Sequence, residues 1–384
     1  MSAATHRLSL SGGLLLLRQT RHCPRGGHCS TARCHAARRC GTHVVAAAAE
    51  QSDAPPGGVI LRSLAANGEC AVLVAAATPL VAHAQRLHQT TPTATAALGR
   101  GLIGGLLLAA FKKDGETVQL SFKGGGPLGH SASPPAPARL LPPARLPCLA
   151  DLILLSPVIV CADAQGMVKG MVTNKFVEPP LRPDGKLNVG AAVGSDGTLS
   201  VVRNHPDWKE PYTGVVPITS GEVAEDIAHY LTQSEQVASA IGLGVLVGKD
   251  LAVQAAGGFL VQVLPFAGDD TLSALERNIS ALPSMTAMLS SGLTPAQITA
   301  RILDGIGVSD GAAEMVPRYG PCVEEDIRSR MEKACVSLGE SELQRIIEKE
   351  EKLEVRCELC CITLQLDAQK VLARAGEAPS KPAR

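Results

Sequence analysis

Apolar positions along the chain change period in a way that marks elements one after another. From Val59 onward, residues 72–74 read as strand and residues 80–87 as helix. A second helix is expected over 93–111, behind a proline (Pro92) whose fixed φ suits a first helical turn. Lys112-Lys113-Asp114-Gly115 reads as a turn, and residues 117–122 alternate with the period of two that a half-buried strand shows. Beyond Val158, strands are expected at 158–161, 167–173, 187–193 and 198–202, with turns at Ala164-Gln165-Gly166 and Ser195-Asp196-Gly197. A helix follows over 220–232 with Ser220 as its cap, then strands at 243–247 and 258–263. Helices come next at 272–279 and 294–303, the latter opened by Thr294-Pro295. Residues 305–318 read as a linker, and a small terminal unit runs from 321 to about 372.

Two stretches follow neither period. Residues 131–157 carry seven prolines (134, 135, 137, 142, 143, 147 and 157) and no Glu, so they can neither pair as a strand nor continue a helix; a surface loop or disordered insertion is expected. Residues 1–49 contain no Asp or Glu, whereas Arg7, Arg18, Arg21, Arg25, Arg33, Arg38 and Arg39 lie among Ser, Thr, Ala and Gly. Such Arg-rich, acid-free leaders are typical of organellar transit peptides. Residues 1–55 are therefore expected to be a disordered transit peptide, addressed to the chloroplast for its Ser/Ala/Gly character, with the mitochondrion as the alternative. The run 12–17 is too short to span a bilayer. His28 with Cys23, Cys29, Cys34 and Cys40 has the letters of a metal site, but a cleaved segment need not fold.

Composition narrows the function classes. Of 384 residues, 36 are Lys or Arg and 36 are Asp or Glu, so no net field favours nucleic acid or membrane. Hydrophobic residues make up 45% but aromatics only 2%, which leaves little for a base-stacking surface and puts burial on Ala, Val, Leu and Ile. Gly99-x-Gly101-x-x-Gly104 has the letters of a dinucleotide fingerprint, yet it lies inside a helical run where close packing explains it. Gly124–Gly129 lacks the Lys-Ser/Thr ending of a P-loop and reads as a turn after a strand. His83, His88, His130, His205 and His229 show neither metal spacing nor a nucleophile motif; His88 and His229 read as surface or packing residues. No enzyme active site is expected.

Several ordered motifs resemble the 33 kDa chaperonin (heat-shock-protein-33) family. They are Thr91-Pro92-Thr93-Ala94-Thr95-Ala96-Ala97-Leu98-Gly99-Arg100, the strand 117–122 leading into Gly124-Gly125-Gly126-Pro127-Leu128-Gly129, and Tyr212-Thr213-Gly214-Val215-Val216. Tyr230-Leu231-Thr232-Gln233-Ser234-Glu235-Gln236 and Ala256-Gly257-Gly258-Phe259-Leu260-Val261-Gln262-Val263-Leu264-Pro265 follow in register. The resemblance implies a mixed α+β chain. It has an N-terminal α/β chaperone domain (59–290, interrupted at 131–157), a helical linker (291–318), a C-terminal thiol domain (319–372) and a disordered tail (373–384). It further implies an ATP-independent holdase for unfolding client proteins, zinc held by Cys-x-Cys and Cys-x-x-Cys when reduced, disulfides and zinc release on oxidation, and a homodimer in the oxidised state. No nucleic-acid or membrane partner is implied.

The terminal unit departs from that pattern. Cys357-Glu358-Leu359-Cys360 is present, ahead of the alternating Ile362, Leu364 and Leu366, and a two-residue gap lets both sulfurs face one tetrahedral ion. A helix from Ser341, with Gln344 at capping-box spacing, precedes it. Counting back places Glu324 and Asp326 where the first Cys-x-Cys should stand, with Cys322 nearby, and no histidine follows His229. Candidate metal ligands are Cys322, Cys357, Cys360 and Cys361, with Asp326 or Glu324 as substitutes for the last; the redox pair or triad is Cys322, Cys357 and Cys360. Cys335 shares a helical face with Ile327, Met331, Ala334 and Leu338 and reads as a packing thiol, and Cys361 as more a packing residue than a ligand. Cys70, Cys148 and Cys161 have no partner spacing. Rivals to the redox-switched holdase are a Cys-x-x-Cys thiol–disulfide oxidoreductase, a holdase that does not respond to oxidation, and a zinc-ribbon nucleic-acid binder. The last is opposed by the acidic residues of the unit.

Overall fold

The computed structural model describes residues 6–11, 14–19, 58–129, 158–320, 324–336, 343–345, 348 and 353–377. Cys322, Cys148, Ser341 and the expected insertion 131–157 lie outside them, as do Cys23, His28, Cys29, Cys34 and Cys40.

Two antiparallel sheets enclose one very apolar helix. The first sheet uses β3 (Val59–Leu64), β4 (Cys70–Ala76), β10 (Ser239–Val247), β11 (Val253–Val263) and β12 (Ala313–Met315) in the order β10-β11-β4-β3-β12. The second has β5 (Thr117–Lys123), β6 (Val158–Asp163), β7 (Met167–Val172), β8 (Thr198–Asn204), β9 (Tyr212–Pro217) and β13 (Arg318–Tyr319), in the order β13-β7-β6-β5-β8-β9. Within these two sheets, among the described residues, only the β13–β7 pairing is parallel. Between them runs α2 (Pro92–Ala109), preceded by α1 (Thr78–His88) and packed on both sheets. By length and hydropathy α2 could cross a membrane, but 89% of it is buried inside the fold, the signature of a core helix.

The glycines of α2 let the neighbouring helices and the second sheet approach it closely. A Cβ at Gly104 would stand 2.5 Å from Ile227, one at Gly105 2.9 Å from Val160, and one at Gly99 2.7 Å from Val81. The fingerprint-like Gly99, Gly101 and Gly104 thus sit within a helix and serve close packing, as their context indicated.

The first sheet's other face is covered in turn. Helices α5 (Asp269–Ala281), α6 (Met285–Ser290) and α7 (Pro295–Ile302) bring Leu275, Met285, Met288, Ile298 and Ile302 against Val72, Val74, Phe259 and Val261. Thr294 accepts from the Gln297 amide while the Gln297 side chain accepts from the Thr294 amide, a reciprocal cap that starts α7 where the Thr-Pro signal placed it.

Several expectations are corrected. Residues expected as a strand at 187–193 contain instead α3 (Val189–Val193), capped by the Asn188 side chain accepting from the Ala191 amide; an apolar run this short fits either period, and the cap decides it. The next helix, α4 (Ala224–Gln233), starts beyond Ser220, because the buried Asp226 carboxylate collects the amides of Thr219, Ser220 and Val223 into its N-terminus. The stretch read as a helical linker is helical only through α7. Its later part supplies β12 and β13, each extending the edge of a different sheet. Within the leader, β1 (His6–Ser11) and β2 (Leu14–Gln19) are strands where disorder was expected.

The terminal unit contains α8 (Glu324–Val336), β14 (Leu353–Cys357), β15 (Thr363–Leu366) and α9 (Ala368–Glu377), the last reaching into the tail read as disordered. β14 pairs antiparallel with β15 and parallel with β1, which pairs with β2. Its small core joins Ile327, Met331, Cys335, Val355, Leu364 and Leu366, so Cys335 is the packing thiol that its helical face indicated.

Candidate functional site

The thiols of the terminal unit lie on a tight turn between two strands. Cys357 closes β14, its amide donating to the Ile362 carbonyl, and the Cys361 amide returns to the Cys357 carbonyl at 2.8 Å. Cys357 and Cys360 are 8% and 5% exposed and belong to the unit's core, whereas Cys361 is half-buried and held at φ 57°, the left-handed region that L residues rarely adopt. The turn therefore separates its sulfurs, two of them buried in the unit and Cys361 directed elsewhere.

That direction is toward the N-terminal body. Cys361 Sγ is 3.4 Å from His88 Nδ1 at the end of α1. His88 Nε2 is 2.7 Å from the hydroxyl of Tyr319, the last residue of β13. The same hydroxyl lies 2.9 Å from the carbonyls of Leu359 and Gly170 and 3.3 Å from the Gly170 amide. The hydroxyl proton can serve either carbonyl or His88 Nε2, depending on the imidazole tautomer, while the oxygen accepts from the Gly170 N–H. Leu359 lies inside Cys357-x-x-Cys360, so one buried oxygen ties the thiol turn to α1 and β7. Gly170 is on the free side of β7 just past the two residues of β13. Where the strand stops, its last side chain takes over the edge's N–H and C=O.

The electrostatics match a closed junction. Burial, reinforced by the Lys175 and Arg356 cations, pushes the His88 imidazole down to about 4, so it is neutral at pH 7 and acts as a directional hydrogen-bond partner. Burial likewise raises the Tyr319 hydroxyl far above its ordinary value. Burial opposes the charge of Arg356, but its hydrogen bond to the Cys361 sulfur and the charges of Cys361, Glu358 and Glu354 outweigh that and raise it; its Nε is buried with no partner among the described residues.

Of the expected site residues, Cys357, Cys360 and Cys361 share the turn and Cys322 lies outside the described residues. The side chains of Glu324 and Asp326 are likewise not described, although both residues belong to α8. Among the described residues no group of three or more His, Cys, Asp or Glu side chains comes together to hold a metal. The described donors on the turn, Cys357, Cys360 and Cys361, number one fewer than the four ligands a structural zinc takes. The sequence reading missed His88 and Tyr319. His88 reads in the sequence as a surface or packing residue, and its contact with Cys361 spans 273 positions, beyond any local spacing.

The fold and its motifs coincide with a known family. The model of the Hsp33 protein family matches residues 59–133 and 154–367, leaving 134–153 unmatched between them. The chain belongs to the Hsp33 family. It is 36% identical over 311 residues to the 33 kDa chaperonin of Geobacillus kaustophilus, covering 81% of this chain and 95% of that one. With the 33 kDa chaperonin of Geobacter sulfurreducens the identity is 39% over 301 residues, 78% of this chain and 89% of the relative. The crystal structure of the 33 kDa chaperonin (heat shock protein 33 homolog) of Thermotoga maritima superposes with a TM-score of 0.70 at 28% identity, covering 84% of this chain and 99% of that one. This Hsp33 chain accordingly has the mixed α/β fold of its relatives.

Proposed function

We propose that this Hsp33 chain is an ATP-independent holdase that binds unfolding proteins, switched by oxidation of the terminal thiols. The observation that carries the reading is the docking of the Cys357–Cys361 turn onto α1 and β7 through Tyr319. A change at the thiols is thereby a change at the domain junction. The same chain covers the apolar face of Val72, Val74, Phe259 and Val261 with α5–α7, a surface of the kind that captures exposed apolar segments once uncovered. Oxidation of Cys357 and Cys360, together with Cys322, strips two buried side chains from a small core, and such a core has little stability to spare.

Zinc is part of the proposal only if Cys322 joins Cys357, Cys360 and Cys361. Zinc content of the reduced mature protein, before and after peroxide, tests it. A chloroplast address in residues 1–49 is the accompanying proposal. A mature chain starting between Val44 and Val59 would lose β1 and β2 and keep the rest of the fold, and N-terminal sequencing from the organelle checks that.

Aggregation of a heat-denatured client with reduced and with peroxide-treated protein, without ATP, tests the central reading. Protection by the oxidised form alone is expected. Equal protection by both forms would make the chain a constitutive holdase, the reading favoured by Glu324 and Asp326 standing where the resemblance places the first Cys-x-Cys. No protection by either would refute the holdase. The oxidoreductase alternative is disfavoured because Cys357-x-x-Cys360 joins two strands, while redox-active pairs open a helix whose N-terminus lowers the thiol pKa; absence of insulin reduction is expected.

A further inference from the structure

The sheet of the terminal unit reaches past the residues that match the family. β14 pairs with β15 on one side, and on the other side its partner is β1, which lies before the matched segments 59–133 and 154–367. The Cys357 amide donates to the Ile362 carbonyl, so by the strand period the amides of Leu353, Val355 and Cys357 face β15, and those of Glu354 and Arg356 face β1. In the parallel register Leu8↔Val355, the Leu8 amide then meets the Glu354 carbonyl and the Leu8 carbonyl meets the Arg356 amide. The sequence agrees with this register. Leu8 and Leu10 stand beside Val355 and Cys357, which belong to the terminal core, while Arg7 stands beside Glu354; a slip of one residue would set Arg7 and Ser9 beside the core positions. Charge agrees too. Residues 1–49 hold seven Arg and no Asp or Glu, whereas residues 319–372 hold twelve Asp or Glu against eight Lys or Arg. Without β1, the edge of β14 would present bare main-chain donors and acceptors, which is a template for strand addition.

We propose that this edge of β14 is a strand-docking surface whose occupant is the chain's own leader, so that β1 clasps the terminal unit in the uncleaved chain and removal of the leader opens the edge. The clasp acts in both directions. Its main-chain hydrogen bonds add to a unit whose core is small, and the same bonds hold residues 6–11 in a sheet, where nothing can read them as an extended segment. β2 pairs along the far side of β1, so the sheet ends on the leader's own hairpin. Only the statement that processing removes the leader rests on the transit-peptide reading; the docking of β1 on β14 does not.

Residue-resolved amide hydrogen exchange tests the proposal on three reduced proteins: the full chain, the chain starting at Val59, and full-length Leu8→Pro. The last removes the one N–H that meets the Glu354 carbonyl and keeps every leader arginine, so it separates strand pairing from charge. In both altered proteins the Glu354 and Arg356 amides should exchange roughly tenfold faster or more than in the full chain. The Val355 and Cys357 amides should keep their full-chain rates, because their partners lie on the β15 side. Equal rates at Glu354 and Arg356 in all three proteins would overturn the proposal. So would acceleration of all four amides alike, since the leader would then support the unit as a whole and not occupy one edge. Recovery of intact Met1 on protein from the organelle, with Glu354 and Arg356 still protected, would remove the transit-peptide reading and leave the clasp as a permanent part of the fold.

Discussion

Replacing Tyr319 by Phe removes one oxygen and keeps the ring, which packs 5.5 Å from that of His83 and 6.1 Å from that of His88. In the docked state the change strands His88 Nε2, the Gly170 N–H and the Leu359 carbonyl, and the site, 6% exposed at Tyr319, admits little water to replace the hydroxyl. Each buried group left without a partner costs about 1–3 kcal/mol. Undocking returns all three to water, so the whole penalty falls on the docked form. Allowing for relaxation of the Leu359 turn, the docking equilibrium should shift by about 2–3 kcal/mol, roughly 30- to 150-fold. Hydrogen exchange at Gly170 and Gly320 should accelerate accordingly in the reduced protein, while the amides of α2 stay protected. If the proposed switch is correct, reduced Tyr319→Phe should also suppress client aggregation without an oxidant. Exchange at both glycines indistinguishable from wild type would refute the view that this hydroxyl holds the junction.

Gly170→Ala should cost about 1–3 kcal/mol, since a Cβ there would stand 2.8 Å from the Ile159 carbonyl and 2.9 Å from Val160; a fall in the thermal midpoint checks it. The Glu235 carboxylate would be raised by burial, but Lys112, the Tyr230 hydroxyl and Arg203 together hold it below its ordinary 4.5. Its folded value lies below its unfolded one, so its contribution is complete above about pH 4.5 and is lost as the pH falls further; denaturant midpoints of Glu235→Gln should decline less steeply there than those of wild type, from a neutral-pH stability lower by about 2 kcal/mol. Burial pushes the Cys335 thiol up to about 12, and Cys335→Ser, which buries a hydroxyl in an apolar core, should cost about 1–3 kcal/mol while leaving the oxidation response of client protection intact. Deleting residues 134–153 should preserve cooperative unfolding, because Phe122 and Val158 are already paired across β5 and β6 and a longer loop costs only about 0.6 kcal/mol per doubling.

What the sequence by itself determined is local. Pro92 and the apolar run behind it specify α2, Thr294 with Gln297 starts α7, and the alternation at 117–122 is the strand β5, because a helix cap or a strand period is a property of residues a few positions apart. The Cys-x-x-Cys turn and the packing role of Cys335 were legible for the same reason, and the ordered motifs placed the chain in its family. The short run at 187–193 was not, since five residues satisfy either period and the Asn188 cap tips them to helix. Residues 313–319 carry no strand signal of their own. They pair because β3 and β7 present free edges, and edge groups need partners wherever these come from. The junction itself belongs wholly to the tertiary structure. His88 ends a helix in the first body, Tyr319 ends a two-residue strand and Cys361 sits on a left-handed turn, and nothing in the spacing of these three residues relates them. Only the packing of the terminal unit against α1 and β7 removes water from them together, and in that dry space a neutral imidazole and a single phenolic oxygen become the contacts on which the docking depends.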